Sequence, residues 1–379
     1  MSAVDLSTRA ATDRRFMAAA IRLSRKHMGL TGTNPSVGTL IVRDDGAGPV
    51  IIGRGVTALG GRPHAEPQAL AEAGEAACGA TAYVTLEPCA HHGRTPPCAE
   101  ALIAAGVARV VGAASDPDSR VAGRGYAMLR AAGIAVTEGV LATEAADQLA
   151  GYLIRSISKR PEVTLKLAVS ADGMIGRAGE GQVAITGAVA RAQVHAMRAE
   201  ADAILVGIGT ALVDDPELTC RLPGMEARSP IRIVLDRAAR LPLSSRLIAT
   251  AASVPLILAC GADIAPERRR ALEAAGVALL GIDEHDGMVA LPELLEDLGA
   301  RGIATLMVEG GAATMRSFLA DGFADRIALF TGPMPIGKGG IAAPFARDSM
   351  PDGFRLVRSA RFGDDDYAEY VRNECLPAS

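Results

Sequence analysis

A basic surplus is the first thing this sequence lacks. Its 39 Lys and Arg stand against 43 Asp and Glu, a formal charge of −4. By halves, residues 1–157 carry 15 basic and 14 acidic side chains (+1), and the remainder 24 and 29 (−5). Neither half has the cationic excess that grips a phosphate backbone, so a nucleic-acid partner is not expected. Lysine is scarce, four of the 39 basic residues, which makes each one, Lys166 included, a stronger candidate for a specific role. No apolar run approaches the roughly 18 residues of a membrane helix, and the most apolar stretch, Ala203 to Val213, is broken by Gly and Thr. A membrane protein is excluded on that ground. The N-terminal apolar run Phe16 to Ile21 is too short for a signal h-region, and Asp5 and Asp13 lie among Arg9, Arg14 and Arg15, so the expected location is cytoplasmic. Cysteine is sparse as well: six, at 78, 89, 98, 220, 260 and 375. That is too few for a disulfide framework in a reducing compartment, and it leaves a close pair such as Cys89 and Cys98 for metal. Neither an internal repeat nor a low-complexity tract is evident.

What is there fits an ordinary globular chain, with 49% hydrophobic and 22% charged residues. At 379 residues it exceeds the usual figure of about 100 to 200 per domain, which predicts at least two domains. Apolar spacing predicts helices over Asp13 to Met28, His64 to Ala77, Cys98 to Ala105, Gly125 to Ala132 and Thr143 to Ile157. β-Branched runs predict strands at Val37 to Val42, Val50 to Val56, Thr81 to Leu86, Arg109 to Ala113 and Ile134 to Thr137. This alternation is that of a layered α/β domain. Ser158-Lys-Arg-Pro161 is short, polar and Pro-terminated, and the alternation restarts after it, so the domains are expected at 1–157 and 158–379. In the second, strands are predicted at Val163 to Val169, Ala203 to Gly207, Ile231 to Asp236, Val254 to Cys260, Thr305 to Val308 and Arg326 to Phe330. Helices at Ala188 to Ala201, Glu267 to Ala275, Leu291 to Leu298 and Ala312 to Ala320 separate many of them.

Chemistry concentrates in two places. His64-Ala-Glu66 opens a helix, and the strand Thr81 to Leu86 delivers Glu87-Pro88-Cys89, with Cys98 beyond. His64, Cys89 and Cys98 would hold zinc tetrahedrally and leave the fourth position to water, whose pKa the metal lowers toward neutrality. Glu66 needs no metal contact to pass a proton from that water to a leaving amine, the division of labour in zinc-dependent nucleobase deaminases. Eight residues rather than two separate the cysteines, and His91 or His92 in that insert is an alternative ligand. One His and two Cys can also be core residues, but their order with Glu66 and Pro88 favours metal.

These segments resemble a known family. Asn34-Pro-Ser-Val-Gly38, Arg62-Pro-His-Ala-Glu66, Thr85-Leu-Glu-Pro-Cys-Ala-His-His-Gly-Arg-Thr-Pro-Pro-Cys98, Asp116-Pro and Val121-Ala-Gly-Arg-Gly125 are similar to the deaminase half of the bifunctional riboflavin-biosynthesis deaminase-reductases, where the long Cys-to-Cys insert is distinguishing. The resemblance implies a cytidine-deaminase-like three-layer α/β/α domain that deaminates a phosphoribosylated diaminopyrimidinone. It also implies that Asn34, His91 and Arg94 line the substrate pocket, although Asn before Pro and Arg beside Gly are common turn chemistry too.

The second place begins at the strand Val163 to Ser170, whose alternation puts Lys166 opposite the apolar face. An exposed strand lysine is the plain reading. Val308-Glu-Gly-Gly311 ends a strand and opens the helix Ala312 to Ala320, an anion site by geometry, though Gly-Gly before a helix is often just a turn. With Ser170-Ala-Asp-Gly173, Ile185-Thr-Gly187, Gly209-Thr210, Val213-Asp-Asp-Pro-Glu-Leu-Thr-Cys-Arg221 and Pro230-Ile-Arg-Ile-Val-Leu-Asp236, this half resembles the reductase half of the same family. The implied domain is dihydrofolate-reductase-like α/β and reduces the ribosyl chain to ribityl with NADPH. By motif, the implied NADPH contacts are Ala168, Thr210, Asp214, Gly311, Ala312, Ala313, Thr314, Met315, Arg316 and Ser317. The implied substrate contacts are Lys166, Gln182, Arg198, Leu218, Arg221 and Glu309, with Arg198 and Arg221 as forked donors to a 5-phosphate. Arg221 paired to Asp214 or Asp215 on the surface is the bland alternative. Ala184 stands where the family may place a cofactor-covering Trp, and Arg237 where a Ser follows the strand Asp. The resemblance also implies a homodimer acting on a small molecule. Two rivals remain: a nucleoside or tRNA deaminase, which predicts no second nucleotide-reducing domain, and a binding protein with a closed structural zinc, which predicts a fourth protein ligand.

Overall fold

A computed structural model describes residues 3–93, 95–118, 121–181, 183–285 and 288–373. The chain divides into two compact units, one ending at Ser158 and the next beginning at Lys159.

The first unit runs α1 (Ala3–Ser24), β1 (Gly38–Arg43), β2 (Val50–Val56), α2 (Ala65–Ala73), β3 (Thr81–Leu86), α3 (Cys98–Ala104), β4 (Arg109–Ala114), α4 (Arg124–Ala131), β5 (Ala135–Thr137), α5 (Ala142–Gln148) and α6 (Ala150–Ser158). Its sheet order is β2-β1-β3-β4-β5, with β1 antiparallel to β2 and β3, and β3, β4 and β5 parallel. Register shows that helices cover both faces. A Cβ on Gly38 would strike Ala20 O of α1 at 2.2 Å, whereas one on Gly55 would strike Ala65 O of α2 at 1.9 Å. Gly55 pairs with Thr39, the neighbour of Gly38, so the two glycines face opposite sides. Bare backbone at Gly53 and Gly55 lets α2 lie directly on β2. The core between the layers includes Met17, Ile41, Leu102, Val110, Tyr126 and Leu129, all buried.

Three helix bounds differ from the sequence reading. α1 starts at Ala3 rather than Asp13, since the exposed stretch Ser7 to Ala11 carries no apolar stripe to read, and it ends at Ser24 in a 3-10 turn. The helix read over His64 to Ala77 passes at Gly74 into a 3-10 turn. The single helix read over Thr143 to Ile157 is α5 and α6, divided where Leu149 turns into the core.

The second unit contains β6 (Glu162–Val169), β7 (Met174–Arg177), α7 (Ala188–Glu200), β8 (Ala203–Gly207), α8 (Ile208–Asp214), β9 (Ile231–Leu235), α9 (Arg246–Ala249), β10 (Leu256–Cys260), α10 (Pro266–Ala274), β11 (Ala278–Gly281), β12 (Glu284–His285), β13 (Met288–Val289), α11 (Leu291–Ala300), β14 (Thr305–Glu309), α12 (Ala312–Ala320), β15 (Arg326–Thr331), β16 (Gly340–Ala342), β17 (Phe354–Phe362) and β18 (Asp365–Arg372). Nine strands form one sheet, β11-β10-β9-β8-β14-β6-β15-β18-β17, parallel as far as β15 and closed by the antiparallel pair β18 and β17. Val163, Leu165, Leu167 and Val169 of β6 are buried against Leu294, Leu298 and Phe318 of α11 and α12, while Thr164, Lys166 and Ala168 point the other way. The β17 and β18 hairpin was not expected, because arginines and aspartates interrupt its alternation. The short α8 and α9 and the minor strands were also not read.

Candidate active sites

In the first unit, β3 and α2 converge on the metal-competent cluster. His64 caps the N-terminus of α2 in extended conformation and makes no cap hydrogen bond, which frees its ring for the thiols. Nδ1 of His64 is 3.3 Å from Cys98 Sγ and 3.7 Å from Cys89 Sγ, and all three donors lie within 4.8 Å of one another. Zinc bonds of about 2.0–2.1 Å to nitrogen and about 2.3 Å to sulfur, at a tetrahedral angle, separate N and S by about 3.6 Å. The donor set therefore fits zinc in both chemistry and span. Cys89 is held down to about 4 by the thiol of Cys98 against the cost of burial, with His64 and the Cys98 amide assisting. The Cys98 thiol is pushed up by Cys89, burial and Glu66. Glu66, 4% exposed, has its carboxyl raised by burial and by Cys89, against the pull of His64. A carboxyl so placed holds a proton more readily than one in water.

Neither His91 nor His92 belongs to this cluster. His92 faces Glu100 at 3.4 Å on the surface, while His91 is half-buried with its Nδ1 lacking a partner. Among the described residues, His64, Cys89 and Cys98 are the group that could hold a metal. Asn34 packs against Gly61, where a Cβ would meet its Nδ2 at 2.4 Å, and its carbonyl accepts from Thr31 Oγ1 at 2.7 Å. Arg94 lies outside the described residues. Two neighbours escaped the sequence reading. Arg62 Nη1 donates to Thr95 Oγ1 at 2.7 Å, joining the approach to His64 to the insert; its adjacency to His64 was the available signal. Buried Glu87 accepts the amides of Gly123 and Gly125, each at 3.0 Å, and so fixes the Val121 to Gly125 segment beside Cys89.

In the second unit, Lys166 of β6 and Glu309 of β14 are register partners on adjacent parallel strands. Nζ of Lys166 is 3.5 Å from Glu309 Oε2, and Arg198 of α7 grips the same carboxylate with Nε at 2.9 Å and Nη2 at 3.0 Å. Burial would raise Glu309, but Arg198 and Lys166 outweigh it and hold the carboxyl down to about 2. Two expectations change here. Lys166 is not an exposed strand lysine, since its side chain is 15% exposed and paired. The fork of Arg198 is committed to Glu309, with Nη1 on Thr219 O at 3.2 Å, and so does not stand open to a phosphate. Arg221 keeps half its side chain in solvent and pairs with Glu217 at 3.2 Å rather than with Asp214 or Asp215.

At the start of α12, Gly311 N–H donates to Thr210 Oγ1 at 2.9 Å and no side chain caps the helix. Gly310 has φ +120, and a Cβ there would lie 2.8 Å from Thr210 Oγ1; one on Gly207 would meet Thr314 Oγ1 at 2.5 Å. This bare-backbone cradle at a helix N-terminus suits a dinucleotide phosphate. Along α12, Ala312 and Met315 are buried, Ala313 and Arg316 are exposed, and Thr314 and Ser317 are half-buried. Asp214 ends α8 with its carboxyl raised by burial. Ala168 is half-buried in β6, and Leu218 is buried beside Ile204 and Val234. Gln182 lies outside the described residues. Ala184 and Arg237 are exposed.

Known proteins bear on both units. A profile described as the cytidine and deoxycytidylate deaminase zinc-binding region matches residues 10–114, and one described as the RibD C-terminal domain matches residues 161–366. The riboflavin biosynthesis protein RibD of Escherichia coli is 40% identical over 337 residues, covering 86% of this chain and 89% of its own. Its Aquifex aeolicus counterpart is 39% identical over 327 residues, covering 86% and 88%. Among solved structures, Acinetobacter baumannii RibD aligns with TM-score 0.82 at 36% identity over 96% of this chain and 99% of its own. A Thermotoga maritima diaminohydroxyphosphoribosylaminopyrimidine deaminase/5-amino-6-(5-phosphoribosylamino)uracil reductase aligns with TM-score 0.83 at 32% identity and the same coverage.

Proposed function

This chain belongs to the RibD family of riboflavin biosynthesis proteins, and from that footing we propose which of its residues carry each reaction. It is a bifunctional enzyme, a zinc-dependent pyrimidine deaminase in its N-terminal domain and an NADPH-dependent reductase of the ribosyl side chain in its C-terminal domain. The observation that carries the assignment of residues is the convergence of His64, Cys89 and Cys98 beside the buried Glu66.

For deamination, His64, Cys89 and Cys98 would hold the zinc, which when bound makes an attacking water available at neutral pH. Glu66 takes the proton of that water and delivers it to the departing amine, a task that its raised carboxyl suits. Asn34, His91 and Arg94 recognise the pyrimidine and its ribose phosphate, which the unpartnered Nδ1 of His91 supports.

For reduction, NADPH supplies the hydride. Ala168, Thr210, Asp214 and the segment Gly311 to Ser317 hold the cofactor. Lys166, Gln182, Leu218 and Glu309 hold the sugar and ring, Arg198 keeps Glu309 ionised and in place, and Arg221 reads the phosphate. The working unit is a cytoplasmic homodimer, and the two activities divide at 1–157 and 158–379. Product mass tests the whole reading. Incubation with the diaminopyrimidinone phosphate should add about one mass unit without NADPH and about two more with it; substrate recovered unchanged would overturn it.

A further inference from the structure

We propose that His195 is a positioning residue of the reductase site, accepting the amide N–H of Arg221 and so fixing the turn that presents the Arg221 side chain. The proposal rests on the reading of Arg221 as a substrate contact. His195 lies one turn before Arg198 on α7, half-buried, with Nδ1 3.3 Å from Arg221 N and 3.1 Å from Thr219 O. Those two contacts exclude each other for one nitrogen, because Nδ1 accepts from the amide only when it carries no proton and donates to the carbonyl only when it does.

The surrounding groups decide between them. Thr219 O already receives Arg198 Nη1 at 3.2 Å, whereas Arg221 N has His195 for its partner. Acceptance by Nδ1 gives the Arg221 amide a protein partner, and donation to Thr219 O leaves that amide to solvent. The proton also meets resistance, since burial and the charges of Arg198 and Arg221 lower the affinity of the ring for it, against the opposing pull of Thr219 O and Glu309. The Thr219 to Arg221 turn is thus hung on side chains: Arg198 on Thr219 O, Ser229 Oγ on Cys220 N at 3.1 Å, and His195 on Arg221 N. Glu217 holds the Arg221 guanidinium at 3.2 Å. His195 alone in this set fixes the backbone of the residue that meets substrate.

The test uses the full chain with zinc and two variants. His195→Leu keeps bulk without an acceptor, and His195→Asn restores a polar atom near the place of Nδ1. Amide exchange over residues 217–222 should quicken in His195→Leu, and the reductase KM for the deaminated phosphorylated compound should rise about three- to tenfold, with kcat and NADPH affinity nearly unchanged. His195→Asn should return both readouts to within about twofold of the parent. In an Arg221→Ala background, His195→Leu should add nothing further to KM. Unchanged exchange in His195→Leu, or an Asn variant no better than Leu, overturns the anchor. Quickened exchange with an unchanged KM overturns the site role. If Arg221→Ala itself leaves KM unchanged, the reading of Arg221 fails instead, and the exchange data identify that case.

Discussion

The amide of Cys98 donates to Cys89 Sγ at 3.2 Å, so the eight-residue insert between the cysteines returns the chain to its starting point. A thiolate facing a helix-start amide is stabilised as an anion, whatever the length of the loop in between. The long spacing therefore costs the metal site nothing in geometry.

Removing the carboxyl of Glu66 should separate metal binding from turnover. Glu66→Ala is expected to retain zinc at parental stoichiometry while deamination falls by at least about 10²-fold. Elemental analysis beside the deamination rate checks it, and a variant with normal rate or without zinc contradicts it.

Chelation should act on one half first. Because thiolates must be free of protons to bind metal, a strong chelator or mild acid is expected to release zinc and lower the unfolding temperature of the deaminase unit. Calorimetry with and without chelator should show one transition move and the other stay.

Glu309 makes the reductase unit acid-sensitive. Its carboxyl sits at about 2 in the fold against 4.5 as the ordinary value. The stabilisation is therefore complete above about pH 4.5 and is lost as pH falls toward 2, on the order of 3 kcal/mol in all. Urea midpoints of the parent should drop over that interval more steeply than those of Glu309→Gln. Parallel slopes would show that Glu309 is not responsible.

The two arginines should fail differently. Arg221→Ala is expected to lose about tenfold to a hundredfold in use of the phosphorylated compound and far less with the dephosphorylated one, with Arg221→Lys in between. Arg198→Ala leaves the buried Glu309 with Lys166 as its remaining cation, so it should destabilise the unit by about 1 to 3 kcal/mol and impair both substrates alike. Steady-state kinetics with the paired substrates and denaturant curves separate the two outcomes.

The metal site was legible because its signals are local: a helix start, a strand end and thiols at fixed places in the chain. The alternation of β6 likewise placed Lys166 on the correct face. What β14 sets beside Lys166 was not legible, since Glu309 lies 143 positions away and only parallel pairing makes them neighbours. That pairing spends Arg198 on a carboxylate instead of a phosphate. The roles of Glu87 and His195 escaped for the same reason: both act on backbone groups of distant loops, which no side-chain pattern announces. The β17 and β18 hairpin was hidden by charges along its strands.

Gly53 and Gly55 carry no reactive group, yet α2 rests on them backbone to backbone. Any side chain at either place would act as a shim beneath the helix that begins at His64 and includes Glu66, moving a ligand and a proton carrier together. The deaminase thus has a genetic footprint larger than its chemical one, and inactivating alleles should fall in β2, a strand that supplies none of the three metal ligands.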